Sequence, residues 1–423
     1  MNISVYGQGT GGISDKQLLD AVSRALVPLR LKKVLILPPD YTRFHSCAGK
    51  ITRIIYSLLK DSCQIDIMPA LGTHEPMNIE ESREFFGEEI PFESLLVHDW
   101  RNDVVKLGEV PGEFVSEVSE GLMSDAVDVE VNRRIVDESY DLIISIGQVV
   151  PHEVVGMANH NKNIFVGCGG SSMINSSHMI GAVFGMERMM GRGDTPVRKI
   201  FNYAEEHFLK DAPILYMLTV TTAKQNDITM HGLFIGKGRE PFSEAVKLSA
   251  QKNLTLLDKP LKKVVVNLDE REFKSTWLGN KSVYRTRMAI DDGGELIVLA
   301  PGIAKFGEDK ENDRLIRKYG YVGRDMVLSL YRENIDLQDN KSVPAHLIHG
   351  SSNGRFKIIY CTKDSMKEEI KDVGFGYSSY DEMIKRYDPM ILKDGYNTLP
   401  DGEEIFYVSN PALGLWAFRG RFE

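Results

Sequence analysis

Residues 140–178 read YDLIISIGQVVPHEVVGMANHNKNIFVGCGGSSMINSSH. The opening YDLIISIG (140–147) is a short aliphatic run rich in β-branched residues, the pattern of a strand buried on both faces of a parallel sheet. The remainder, 151–178, has no clean periodicity, yet it holds three of the chain's ten histidines, one lysine, one cysteine and four glycines. Polar groups in such a loop need partners, so it is either a disordered linker or a segment built around something. The flanking sequence decides between these.

The same grammar occurs twice upstream. KKVLILPP (32–39) reads as a buried strand, with a helix before it around DKQLLDAVSRAL and another after it around KITRIIYSLLKDS. QIDIMPAL (64–71) reads as the next strand. Each strand runs into a loop of reactive residues: PPDYTRFHS, then LGTHEPM, then the 151–178 stretch itself. Strands alternating with helices predict an α/β protein with mainly parallel sheets, in which ligands bind at the carboxyl ends of the strands, where successive loops converge. KKVVVNL (262–268), GGELIVLAPG (293–302) and FKIIYCTK (356–363) predict further strands, and STWLGNKSVYRTRMAI (275–290) has helical spacing. The expected division is an N-terminal α/β domain over 1–260 and a C-terminal α/β domain over 261–401, with 402–423 free to join the first. A cleft between the two domains is the expected place for the active site.

Composition narrows the function. A net charge of −9 without a basic stripe argues against nucleic acid as a partner. No run approaches the roughly 18–20 apolar residues of a membrane span. MNISVYGQGTGG lacks the features of a signal peptide, so a cytoplasmic location is expected. The four cysteines, Cys47, Cys63, Cys168 and Cys361, have no CxxC spacing and read as reduced thiols. A small molecule is the expected ligand.

Taken singly, the candidate residues are ambiguous. His74 and His152 each follow an apolar strand by a few residues, where catalytic groups sit in this architecture, although an imidazole there can also tie down a loop. Asp40 and Arg43, in DYTR, fit a helix cap and a surface arginine, or an arginine fork holding a substrate carboxylate. Lys162 is either solvated or a protected amine suited to covalent work. His178 would suit a transition metal, but HxxxH and CxxC spacings are absent, so something besides protein must complete any metal site. Gly167, Gly169 and Gly170 either let backbone approach a flat cofactor or make tight turns.

The motifs DYTR (40–43), GTHE (72–75), PHEVVGMANHNKNIF (151–165), SSH (176–178) and WLGNK (277–281), in that order, resemble those of the nickel-pincer lactate racemase family. The resemblance spans nearly the whole chain and includes the spacing from His152 to Lys162 to His178. It implies a nickel pincer nucleotide, a pyridinium-3-thioamide-5-thiocarboxylate mononucleotide, held covalently on Lys162, with His178 as the protein ligand to nickel. It further implies His74 and His152 as paired general bases, Asp40 orienting the imidazoles, and Arg43 and Lys281 binding the substrate carboxylate or nearby oxygens. The implied reaction moves the C2 hydride of a 2-hydroxy acid to the cofactor and back, inverting C2. Accessory enzymes that build the cofactor are implied partners, and recombinant protein could lack the cofactor.

This chain departs from the pattern at Leu278, where some relatives carry an amide, and at GMANHN, which replaces a Gly-rich run. TWLGNKSVYRTRMAI and FGED (306–309) look more like relatives acting on the sugar acids D-mannonate and D-gluconate. Tyr284, Arg285 and Arg287 are candidate donors to sugar hydroxyls, or residues of an exposed helix face. Racemisation of a shorter acid such as lactate or malate is the alternative chemistry. A non-catalytic sugar-acid or metal-binding protein is the alternative class, disfavoured because simple binding needs neither paired bases nor a cofactor lysine.

Overall fold

The computed structural model describes residues 2–9, 11–224 and 227–423. The chain divides into two compact units, residues 1–180 with 190–253, and residues 181–189 with 254–423. Each is built on a six-stranded sheet, mixed but mainly parallel.

In the first unit the strands are β1 (Ile3–Tyr6), β2 (Lys33–Leu37), β3 (Gln64–Ile67), β4 (Leu142–Gln148), β5 (Ile214–Lys224) and β6 (Asp227–Gly236), in the order β1-β6-β5-β4-β2-β3. Strands β3, β2, β4 and β5 are mutually parallel, and β6 and β1 close one side antiparallel. All seven residues of β4 are buried, which is why its sequence is mostly apolar rather than alternating, with Ser145 and Gln148 as buried polar exceptions. One face packs Val34, Ile36, Ile144 and Ile146 against Leu18 and Val22 of α1 (Asp15–Leu26) and Ile51 and Ile55 of α2 (Ala48–Leu59). Ser14 and Gln17 form a capping box that starts α1, as the Ser-x-x-Gln spacing dictates. Three more helices matter below: α3 (Ser171–Phe184), α4 (Pro196–Phe208) and α5 (Glu240–Asn253).

The order β3-β2-β4 sets the three reactive loops side by side on one rim. The pairing even continues past the strands, with Met68 N donating to Ile36 O at 2.9 Å, Ala70 N to Pro38 O at 2.8 Å, and Pro39 bridging Ala70.

The second unit carries β7 (Leu261–Asn267), β8 (Ile290–Leu299), β9 (Lys357–Thr362), β10 (Gly376–Ser379), β11 (Gly395–Thr398) and β12 (Glu404–Val408), ordered β10-β9-β8-β7-β12-β11. Only the β11–β12 pair is antiparallel. Apolar layers cover both faces, Val264, Val266, Leu296 and Val298 on one and Val265, Ile297 and Leu299 on the other. The sheet is therefore a filled sandwich of helices and strands.

Segment 275–290 is less regular than its spacing suggests. It forms one turn, Thr276–Gly279, and then α6 (Lys281–Thr286), with Asn280 between them accepting from the Tyr360 hydroxyl at 2.7 Å. Tyr284, Arg285 and Arg287 are buried, not an exposed face. Arg287 donates to Glu187 Oε1 at 2.8 Å and to Ser351 O at 3.0 Å, and Arg285 to Gly414 O at 3.2 Å. Both guanidinium groups are thus engaged inside the second unit, and the burial of all three residues overturns their reading as an exposed helix face. No helix among the described residues is long and apolar enough to cross a membrane.

Candidate active site

Asp40 ends the first loop's descent from β2 and caps the short turn Tyr41–Ser46, its Oδ1 accepting from Thr42 N at 2.8 Å. Its other oxygen, Oδ2, lies 2.6 Å from His74 Nδ1. His74 stands on the neighbouring loop, where Gly72, at φ 58°, makes the reversal and donates its N–H to Gly167 O at 2.8 Å. Burial opposes ionisation of the Asp40 carboxyl, but His74, Thr42 and Arg43 together hold it down at about 2. A carboxylate accepts from Nδ1–H, so neutral His74 keeps its lone pair on Nε2, the nitrogen that a general base uses.

His152 lies in a tight hairpin, Pro151–His152 against Gly156–Met157, and is almost fully buried. Val154 N donates to its Nδ1 at 3.1 Å. That nitrogen therefore carries the lone pair, and the neutral ring bears its proton on Nε2. The two imidazoles are thus prepared oppositely, His74 with a lone pair and His152 with an N–H. Glu153 Oε2 is 3.6 Å from His152 Nδ1. The sequence reading passed over Glu153, although it stands next to the histidine; in the fold its charge also reaches Lys162 and His178.

Lys162 leads into a single π-turn, Asn163–Gly167, a local irregularity frequent at functional sites. Asn163 fastens this turn to the strand ends, donating to Leu37 O at 3.1 Å and Ser145 Oγ at 3.0 Å. Burial, then the Arg43 guanidinium and Arg198, pull the lysine amine down to about 8, against the opposing charges of Glu153 and Asp40. Arg43 itself donates no side-chain hydrogen bond among the described residues, so its fork remains available for an anion.

His178 sits on α3, half-buried, with Nδ1 2.6 Å from Ile174 O. That bond places the proton on Nδ1 and the lone pair on Nε2, the tautomer a metal-ligating histidine needs. Burial lowers its pKa, and Lys162 and His74 act in the same direction. Among the described residues no group of three or more His, Cys, Asp or Glu could hold a metal by itself. One correctly poised imidazole beside a softened lysine amine fits a metal whose other donors arrive on a lysine-bound cofactor.

The first unit therefore brings together Asp40, Arg43, His74, His152, Lys162 and His178. Lys281 belongs to the second unit, where it opens α6, is buried, and lies 3.9 Å from Glu272 Oε1. His160, the third histidine of the stretch, is structural. It stacks between Tyr216 and Phe242, donates from Nε2 to Gly238 O at 2.8 Å, and burial holds its pKa at about 4. The glycines are also structural. A Cβ on Gly169 would fall 1.8 Å from Phe165 O, and one on Gly170 2.3 Å from Glu130 Oε2, so protein fills the space beside them.

The softened amine has a direct consequence. Acetylation of Lys162 by sulfosuccinimidyl acetate, followed by peptide mass mapping, should rise with pH through a midpoint near 8. Exposed lysines should titrate at their ordinary value of about 10.4. A Lys162 midpoint near that ordinary value would contradict the electrostatic description.

Comparison with known proteins agrees with this geometry. Residues 21–190 match the lactate racemase N-terminal domain. The lactate racemase of Thermoanaerobacterium thermosaccharolyticum is 24% identical over 409 residues, covering 88% of this chain and 84% of that protein. The fold matches a crystal structure of a Thermotoga maritima protein at a TM-score of 0.81 and 24% identity, over 98% of this chain and 100% of that one. It also matches the lactate racemase apoprotein of T. thermosaccharolyticum at a TM-score of 0.70 and 18% identity, again over 98% and 100%. Motif order, matched domain and fold point the same way: residues 21–190 match the lactate racemase N-terminal domain, and the chain as a whole is similar to the lactate racemases, which are isomerases of 2-hydroxy acids.

Proposed function

We propose that the protein is a 2-epimerase of a sugar acid, interconverting D-mannonate and D-gluconate, with the six clustered residues of the first unit as its working groups. The observation that carries the catalytic part is the pair of oppositely prepared imidazoles, His74 with its Nε2 lone pair and His152 with its Nε2–H. His74 takes the proton from the substrate 2-hydroxyl, and Asp40 stabilises the imidazolium that results. Arg43 holds the substrate carboxylate in a two-point grip. The likeness to lactate racemases implies a nickel pincer cofactor, which Lys162 and His178 would hold and which would supply hydride acceptance and return at C2. His152 serves the opposite face of the planar 2-keto intermediate. To act as a base at Nε2 its proton must move from Nε2 to Nδ1, with Nδ1 releasing the Val154 N–H, and Glu153 is the nearby carboxylate that can accept from that Nδ1–H.

Two features support a polyhydroxylated substrate over lactate. One is the resemblance of TWLGNKSVYRTRMAI, with its Leu278, to relatives acting on sugar acids. The other is Gln148, at the carboxyl end of β4 and four residues before His152. Its side-chain oxygen and nitrogen are both buried and without a protein partner. A buried amide left unpaired costs about 1–3 kcal/mol, and a hydroxyl-rich substrate supplies what it lacks where a methyl group cannot.

Replacing His74 or His152 by alanine should each lower the rate at least ~10²-fold, the lower end of a positioned acid–base contribution, without detaching the cofactor. Near-normal turnover in both variants would return these residues to a structural role. Cofactor-loaded enzyme should turn over D-mannonate and D-gluconate much faster than lactate, because a site built around hydroxyls discriminates by up to ~10⁴–10⁵. Deuterium at C2 should slow the reaction and stay on C2 of the product. A preference for lactate would overturn the sugar-acid assignment, and loss of the label to solvent would overturn hydride transfer.

A further inference from the structure

In the segment that leads to Lys162, two residues with side chains are held in unfavourable backbone conformations. Asn159 has φ 62° and His160 φ 59°, both in the left-handed region, which costs of order 1–2 kcal/mol per residue with a side chain. Such strain persists only where the surroundings over-determine it. Here the surroundings are the first turn of α4. Thr195, the residue that caps this helix, donates its hydroxyl to Val155 O at 3.0 Å. Arg198, one turn inside the helix and 2% exposed, donates to Met157 O at 2.6 Å and to Asn159 O at 3.1 Å, and also to the Asn161 side-chain oxygen. Residues 155, 157, 159 and 161 are thus tied, every second one, to a single helical turn, and the next residue is Lys162.

The clamp is itself braced. Asn161 Nδ2 donates to Asn202 at 2.8 Å and to Glu205 at 2.9 Å, and the Tyr216 hydroxyl donates to the other Glu205 oxygen at 2.6 Å. The Arg198 guanidinium lies 4.2 Å from the centre of the Phe242 ring, which also stacks on His160. A buried arginine with this many fixed acceptors has a single available pose.

We propose that Arg198 is a positioning residue for Lys162, fixing through Met157, Asn159 and Asn161 the backbone that presents the lysine amine to the electrophile it must bind. This rests on the reading of Lys162 as the cofactor-bearing residue, and it adds a residue that touches neither substrate nor metal. The groups whose charges act on the amine are Arg43, Glu153, Arg198 and Asp40, all in the first unit. If the clamp is released, the lysine moves into water and recovers ordinary lysine behaviour.

The test uses the full chain and sulfosuccinimidyl acetate as the probe, with the pH midpoint of Lys162 acetylation read by peptide mass mapping. Arg198→Met removes the donors. Asn161→Leu removes one anchor while keeping Arg198 and the charge by which it lowers the amine's pKa, so it is the variant that separates clamp from charge, and it also serves where the first variant fails to fold. In each folded variant the midpoint should rise by at least about one pH unit toward the ordinary lysine value, a tenfold smaller neutral fraction at pH 8. Midpoints unchanged from wild type would overturn the clamp, since packing alone leaves the amine where it was. The probe requires no cofactor, so the two readings fail separately. A shifted midpoint in a chain that never gains an adduct on Lys162 upholds the clamp and refutes the cofactor reading.

Discussion

The contact between Asp40 and His74, 2.6 Å across two loops, depends on most of what the first unit builds. It needs β2 and β3 adjacent and parallel, in a register that sets Pro39 opposite Ala70, so that both loops leave the sheet side by side. It needs Gly72 in the left-handed region to turn the second loop back. In return it fixes the imidazole's proton on the side facing the carboxylate and leaves the basic nitrogen outward. A parallel sheet does this without special adjustment, because its strand ends share one rim.

Charge balance organises the rest. Three cations, Arg43, Lys162 and Arg198, and three carboxylates, Asp40, Glu153 and Glu205, stand within electrostatic reach of one another. In a partly dry site such charges do not average out. The lysine is surrounded by enough positive charge and burial to be softened to about 8, while Asp40 stays ionised. His178 is biased toward its neutral form by burial and by the charges of its neighbours, with its tautomer set by Ile174 O. The same low dielectric that penalises each isolated charge makes their mutual arrangement chemically useful.

Two of the reactive loops were legible in the sequence because the strands before them, β2 and β4, are almost wholly buried and read as aliphatic runs, while the edge strand β3 showed as the alternating QIDI. The capping box at Ser14 and Gln17 was equally local. What escaped depends on partners distant in the chain. The tautomer of His152 is set by the Val154 backbone, and that of His74 by a carboxylate 34 residues away, neither of which a motif records. Arg285 and Arg287 read either as donors to sugar hydroxyls or as an exposed helix face, yet Glu187, Ser351 and Gly414 draw them into the second unit. Helical spacing over 275–290 concealed the break at Asn280, which a hydrogen bond from Tyr360 accompanies. Arg198 carried no signal, since its acceptors are backbone carbonyls on another element.

The account centres on Lys162 as the attachment point of a cofactor that supplies most of the metal's ligands. Intact mass together with nickel analysis of protein from its native host tests this most directly. The prediction is a single adduct mapped to Lys162 with about one nickel per loaded chain, both lost in Lys162→Ala, with nickel alone weakened in His178→Ala. Full nickel occupancy without an adduct, or retained by Lys162→Ala, would contradict it.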